Sequence, residues 1–147
     1  MRVLFRYIPC ILLIFGLVLR SAHAQSKTGT DSIDTSLSGQ LGDPVRGKKI
    51  VLSRQTGLCI LCHSGPFPEE RFQGNLAPDL QYSAQRLSTG QIRARIVDAK
   101  RFNPDSIMPS YFSTDGLTRV SPQFSGKTIL SAQEIEDVIA FLVSLKK

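Results

Sequence analysis

Sulfur and imidazole side chains are scarce in this chain: its 147 residues hold three cysteines, two methionines and two histidines. That scarcity limits what can be bound, since a structural zinc site alone consumes four nitrogen, sulfur or oxygen donors. A long apolar run is also missing. Ile8 to Leu19 is almost unbrokenly apolar, but at about twelve residues it falls short of the ~20 that a spanning helix needs. No alternating apolar and polar pattern of useful length occurs, which argues against a sheet-based fold. Nor is there an arginine-rich stripe interleaved with aromatics, so nucleic acid is not an expected partner.

What is present begins with the first 24 residues. Met1 to Arg6 carries two arginines and no acid, the apolar run follows, and Ser21-Ala22-His23-Ala24 ends it with Ala-x-Ala. This is the layout of a secretory signal peptide cleaved after Ala24. The alternative, an uncleaved anchor, fits poorly with so short a core and so clear a cleavage site. Cys10 is followed by more apolar residues, so it does not read as a lipidated mature start. Removing residues 1–24 leaves 123, enough for one domain. Arg2, Arg6 and Arg20 leave with the signal, so the formal charge falls from +6 to +3. Cys10, His23 and Met1 leave too. The mature chain then keeps only Cys59, Cys62, His63 and Met108 of these residue types.

Cys59-Ile60-Leu61-Cys62-His63 is the spacing for covalent haem attachment. Two thiols two residues apart can add to the two vinyl groups on one edge of a porphyrin, and the next residue then offers its imidazole to the iron. Covalent attachment suits an exported protein, because the haem cannot be lost to the surroundings. Three other readings compete. A thioredoxin-like Cys-x-x-Cys wants a βαβ context that is missing here. Zinc wants four donors, and the mature chain has three Cys and His in all. A disulfide would close a tiny loop, constrain the unfolded chain little and leave His63 unexplained. The expected cofactor is one covalently bound haem c.

The second axial ligand must come from elsewhere, and Met108 is the one methionine of the mature chain. It lies in Asn103-Pro104-Asp105-Ser106-Ile107-Met108-Pro109-Ser110-Tyr111, where Pro109 biases it away from helical geometry. The competing reading is a methionine filling a gap in the core. Imidazole and thioether ligation is the usual cytochrome c arrangement, so His63 and Met108 are the expected iron ligands. With both axial positions taken, no open site for substrate remains. The expected role is passage of one electron through an exposed porphyrin edge.

Residues 25–42 are rich in Ser, Thr, Gly, Gln and Asp and read as a flexible leader. A cytochrome c domain then spans 43–147. Asp43-Pro44 opens a first helix to about Ser53, Asp as cap and Pro in the first turn. Gly47 in its middle suggests that another element crosses closely there. Gly65 to Asp79 reads as a loop. Ser88 with Gln91, and Ser131 with Glu134, are capping boxes that open a middle helix to about Asp98 and a last helix. In the last one Ile135, Val138, Ile139 and Leu142 form an apolar stripe at helical spacing. The expected fold is all-α, with the first and last helices packed together and Phe141 or Val138 meeting Gly47.

From Asp43 onward the chain resembles the X subunits of the SoxAX cytochrome complexes of bacterial sulfur oxidation. The matching segments are Gly57 to His63, Gly74-Asn75-Leu76-Ala77-Pro78-Asp79-Leu80, Arg95-Ile96-Val97-Asp98 with Asn103-Pro104, Met108-Pro109-Ser110-Tyr111, Leu117-Thr118-Arg119-Val120 and Leu130 to Val138. The resemblance implies a class I cytochrome c fold around one haem, ligated by His63 and Met108, with the Pro78 carbonyl accepting a hydrogen bond from His63. It implies a periplasmic location and an A-type cytochrome subunit as partner. There thiosulfate is joined oxidatively to a cysteine of a sulfur-carrier protein, and this chain would pass the released electrons to a downstream acceptor. The chain itself would then carry no catalytic residue; the activity, a cysteine S-thiosulfotransferase, would belong to the complex. A free-standing mobile electron carrier is the alternative, which the extended loop Ser113 to Gly126 disfavours. A haem-based gas sensor would need an open iron site.

Overall fold

The computed structural model describes residues 31–146. The expected signal peptide, the first residues of the leader and Lys147 lie outside them. Four α-helices and three short 3-10 turns make up the regular structure, and no strand occurs among the described residues. The helices are α1 (Pro44–Leu52), α2 (Leu80–Arg86), α3 (Thr89–Val97) and α4 (Ala132–Ser144). No helix among the described residues is long and apolar enough to cross a membrane.

The helix starts follow the local chemistry of the chain. Asp43 caps α1 by accepting from the Val45 and Arg46 N–H groups, which satisfies donors that a helix leaves free at its first turn. Ser88 and Ser131 open α3 and α4 with complete capping boxes through Gln91 and Glu134. The helix α2 falls where sequence pattern indicated none. Its cap is Asp79, whose carboxylate accepts from the Gln81 and Tyr82 N–H groups.

The fold is organised by α4, which packs on α1, α3 and α2. Ile135, Val138, Ile139, Phe141 and Leu142 of α4 are buried with Val51 of α1 and Ile92 and Ile96 of α3. The crossing of α1 and α4 falls at Gly47. A Cβ there would stand 1.9 Å from the Asp137 carbonyl oxygen and 2.9 Å from the Phe141 Cβ. Only a residue without a side chain allows the two backbones to approach so closely. Of the two residues expected to meet Gly47, Phe141 does so; beside it stands the Asp137 backbone.

Two ion pairs tie α4 to its neighbours, one buried and one in which an exposed arginine covers a buried carboxylate. Arg93 of α3 donates to both carboxylate oxygens of Glu136, each at 2.9 Å. Arg46 of α1 does the same to Asp137, at 2.7 and 2.8 Å.

The leader expected to be flexible over residues 25–42 is docked wherever it is described. The Leu37 N–H donates to Glu136, the Ile33 N–H donates to the Gly90 carbonyl, and Arg93 donates to the Ile33 carbonyl. Gly42 lies hard against the Glu136 carbonyl. The segment therefore straps the α3–α4 pair through backbone groups, with Leu37 packed on the core.

Candidate functional site: an apolar slot between His63 and Met108

The chain enters the Cys59–Cys62 segment through Leu58, held in the left-handed region at φ +61°. That conformation is uncommon for a branched side chain and costs on the order of 1–3 kcal/mol. It turns the backbone into the short 3-10 turn Cys59–Leu61. The Leu58 N–H donates to Ser53 at the end of α1, at 2.9 Å, so the turn hangs from that helix.

The following loop is pinned alongside the motif. The Gly74, Ala77 and Leu80 N–H groups donate to the carbonyls of Ile60, Cys62 and Ser64, at 2.9, 3.0 and 2.8 Å. The approach requires glycine at 74, where a Cβ would stand 2.3 Å from the Leu61 carbonyl oxygen. This register brings the Pro78 carbonyl to 2.6 Å from His63 Nδ1. Proline commits its carbonyl to no helix here, and the imidazole donates to it from Nδ1. In the neutral ring that donation leaves the lone pair on Nε2, the form in which histidine binds a metal.

Met108 lines the same space from another segment of the chain. Its loop leaves α3 through the turn Ala99–Arg101 and is shaped by short polar contacts. Asn103 Oδ1 accepts from the Asp105 N–H at 3.0 Å, and Ser106 Oγ from the Met108 N–H at 3.2 Å. Ser110 then donates to Asp98 at 2.6 Å, tying the end of the loop back to α3.

Tyr111 joins the two halves and was not singled out by sequence reasoning. Its N–H donates to Ile96, and its carbonyl accepts from Ile129 and Leu130. Its buried hydroxyl donates to the Gly57 carbonyl, just before the cysteine motif. The signal that could have found it is position: an aromatic with a polar handle three residues after the ligand candidate. Burial, then the neighbouring Cys59, pushes the phenol well above its ordinary range, so it stays a donor.

Cys59, Cys62, His63 and Met108 thus line one cavity of about 260 Å³, walled by Val51, Leu80, Ile96, Leu130, Val138 and Leu142. A second cavity of about 400 Å³ adjoins it, sharing His63, Leu80, Ile96, Met108 and Leu142. The two form a continuous apolar slot with His63 and Met108 at its middle and the cysteines at one end. Leu61 and Ile107 stand at that end, 43% and 77% exposed. Both cysteines are free thiols. Burial pushes the Cys59 thiol up to about 11, against hydrogen bonds that lower it. At neutral pH it is protonated and a poor nucleophile, unlike the lowered thiols of redox Cys-x-x-Cys sites.

The side chains able to hold a haem here are therefore two thiols for its vinyl edge, one imidazole nitrogen and one thioether for its iron, with aliphatic walls for its faces. The fit rests on the donor set and on the Nδ1 contact, which leaves the correct nitrogen for iron.

The chain is similar to a chain of the crystal structure of SoxXA from P. pantotrophus, at 36% identity over 80% of this chain and 92% of that one, with a TM-score of 0.72. No protein-family model matches the chain, and no curated protein does.

Proposed function

Because this chain belongs to the SoxX cytochrome family, we propose that it is the electron-relay subunit of a periplasmic SoxXA-type complex that oxidises thiosulfate. The observation that carries the reading is the meeting of Cys59, Cys62, His63 and Met108 on one apolar slot, with His63 Nδ1 taken up by Pro78. When bound, one covalent haem c supplies an iron that takes up and releases single electrons.

The residues around it each have a part in that role. Cys59 and Cys62 attach the cofactor, so it is retained outside the cytoplasm. His63 and Met108 would hold its iron, and the neutral Met108 thioether would favour the reduced state. Pro78 fixes the ring orientation and tautomer of His63. Val51, Leu80, Ile96, Val138 and Leu142 exclude water, which also favours the less charged state. Leu61 and Ile107 border the open end of the slot, where an electron can pass to or from a partner. With His63 and Met108 committed to the iron and Cys59 and Cys62 to attachment, this chain would have no cysteine or histidine left to handle sulfur. That chemistry belongs to an A-type partner and a sulfur-carrier protein, and this chain hands the electrons to a downstream acceptor. The signal peptide, residues 1–24, delivers it to the periplasm.

Reconstitution tests the reading. The mature protein is mixed with its A-type partner and the carrier protein, and thiosulfate is added. The haem of this chain should become ferrous, and omission of the partner should abolish the change. Reduction that ignores the partner, together with migration as a monomer in its presence, would make the protein a free mobile carrier instead.

A further inference from the structure

The slot has a second end, and its chemistry differs from the first. Around the further cavity stand Tyr82, Arg86, Arg95, Phe102 and Ser106, none of which lines the cysteine end. The Arg95 guanidinium lies 4.4 Å from the centre of the Phe102 ring. Its one polar contact among the described residues is the Gln91 carbonyl of its own helix, at 3.1 Å. The Arg86 guanidinium lies 5.1 Å from the Tyr82 ring centre and donates to that residue's hydroxyl at 2.6 Å. Neither has a carboxylate partner among the described residues. Arg46, Arg54 and Arg93, in contrast, each have one. Two guanidinium groups held on aromatic faces at an apolar cavity, without an anion, form a place for one. Stacking fixes the plane of each fork and leaves its N–H edge free to meet carboxylate oxygens.

Haem has its two vinyl groups on one edge and its two carboxylates on the opposite edge. Attachment through Cys59 and Cys62 sends the vinyl edge to one end of the slot. The carboxylate edge is then directed to the end that holds Arg95 and Arg86. We propose that Arg95, positioned by Phe102, is the main anchor of the haem carboxylates, with Arg86 and Tyr82 as a second, more exposed contact. The inference rests on the haem reading above. A carboxylate buried in apolar surroundings needs such a partner, and a bidentate guanidinium is the strongest that a protein offers. Arg95 also places a positive charge near the iron, which disfavours the oxidised, more positive state.

Three variants of the haem-loaded protein test this: Arg95→Gln, Arg95→Lys and Arg86→Gln. They are read by equilibrium redox titration and by the carboxylate bending bands in resonance Raman spectra. Arg95→Gln should shift those bands and raise the oxidised-to-reduced ratio at a fixed potential by about threefold or more, as loss of a nearby charge requires. Arg95→Lys keeps the charge, so the ratio should stay close to wild type while the bands still shift. Arg86→Gln should give smaller changes of the same sign. If Arg95→Gln does not fold, the Raman bands of Arg95→Lys decide alone. Wild-type bands and ratio in a folded, haem-loaded Arg95 variant would overturn the assignment. A wild-type protein whose intact mass shows no covalent haem would overturn the haem reading itself, which is a separate result.

Discussion

Met108 and Tyr111 lie three residues apart and answer to different tests. The oxidised haem-loaded protein should show the weak near-infrared band of thioether-to-iron ligation. Met108→Leu should abolish it and lower the potential; an unchanged spectrum would mean that another group holds the iron. Tyr111→Phe removes the hydroxyl that reaches Gly57. It should cost about 1 kcal/mol in a denaturant titration, while the near-infrared band persists because Met108 is still present. That Cys59, Cys62, His63 and Met108 should share one cavity was legible in the sequence, because the chain expected after signal removal has so few residues of these types. Pro78 was legible only through resemblance, since nothing about a proline in a loop announces that its carbonyl will face an imidazole. Tyr111 stood in a segment that matches the family, but its role was not legible. Its role depends on four backbone and hydroxyl contacts to segments far apart in the chain.

At the scale of elements, α4 carries the fold, and two predictions concern it. Gly47→Leu should destabilise by more than the ~1–3 kcal/mol typical of overpacking, because the clash is with the Asp137 backbone, which has no rotamer to change. A melting temperature equal to wild type would place the helix crossing elsewhere. The second prediction concerns Glu136 and Asp137, which are buried and acidic. Burial opposes ionisation of both. Hydrogen bonds from Arg93 and the Leu37 N–H outweigh it at Glu136, and those from Arg46, the Asp43 N–H and Gln133 do so at Asp137. Both carboxyls therefore stand below their ordinary values when folded. Such groups contribute stability that is complete above the ordinary carboxylate range, about pH 4, and lost as pH falls through the lowered values. Glu136→Gln should cost about 3–5 kcal/mol at pH 7, since it strands Arg93. The deficit should shrink steadily below about pH 4. Urea melts at both pH values check this, and a deficit independent of pH would contradict it. The three helices with caps and stripes were readable in advance. The short α2 was not, as seven residues starting at Leu80 are too few to display a period. The docked strap was also invisible, because its bonds are made by the backbone of Ile33 and Leu37, and backbone groups are the same in every sequence.

At the scale of the whole molecule, export and cofactor loading can be read from one mass spectrum. The secreted protein should begin at Gln25 and carry the added mass of one haem, and acid acetone should not release it. Haem extracted by that solvent would rule out thioether attachment. The meeting of Gly47 with Asp137 has a consequence for the order in which the protein matures. The first helix finds its partner only when residues some ninety positions later have been delivered. Closing so long a loop costs chain entropy before the contact rewards it. Until then the stretch between them has no finished core to hide in, and on the haem reading Cys59 and Cys62 would stay accessible for attachment. Closure of the two ends would then be the event that seals a cofactor already in place. A chain cut before Ser131 should accordingly still acquire haem in an export-competent host, yet remain as sensitive to protease as an unfolded polypeptide. If the cut chain stays free of haem, attachment must wait for the fold.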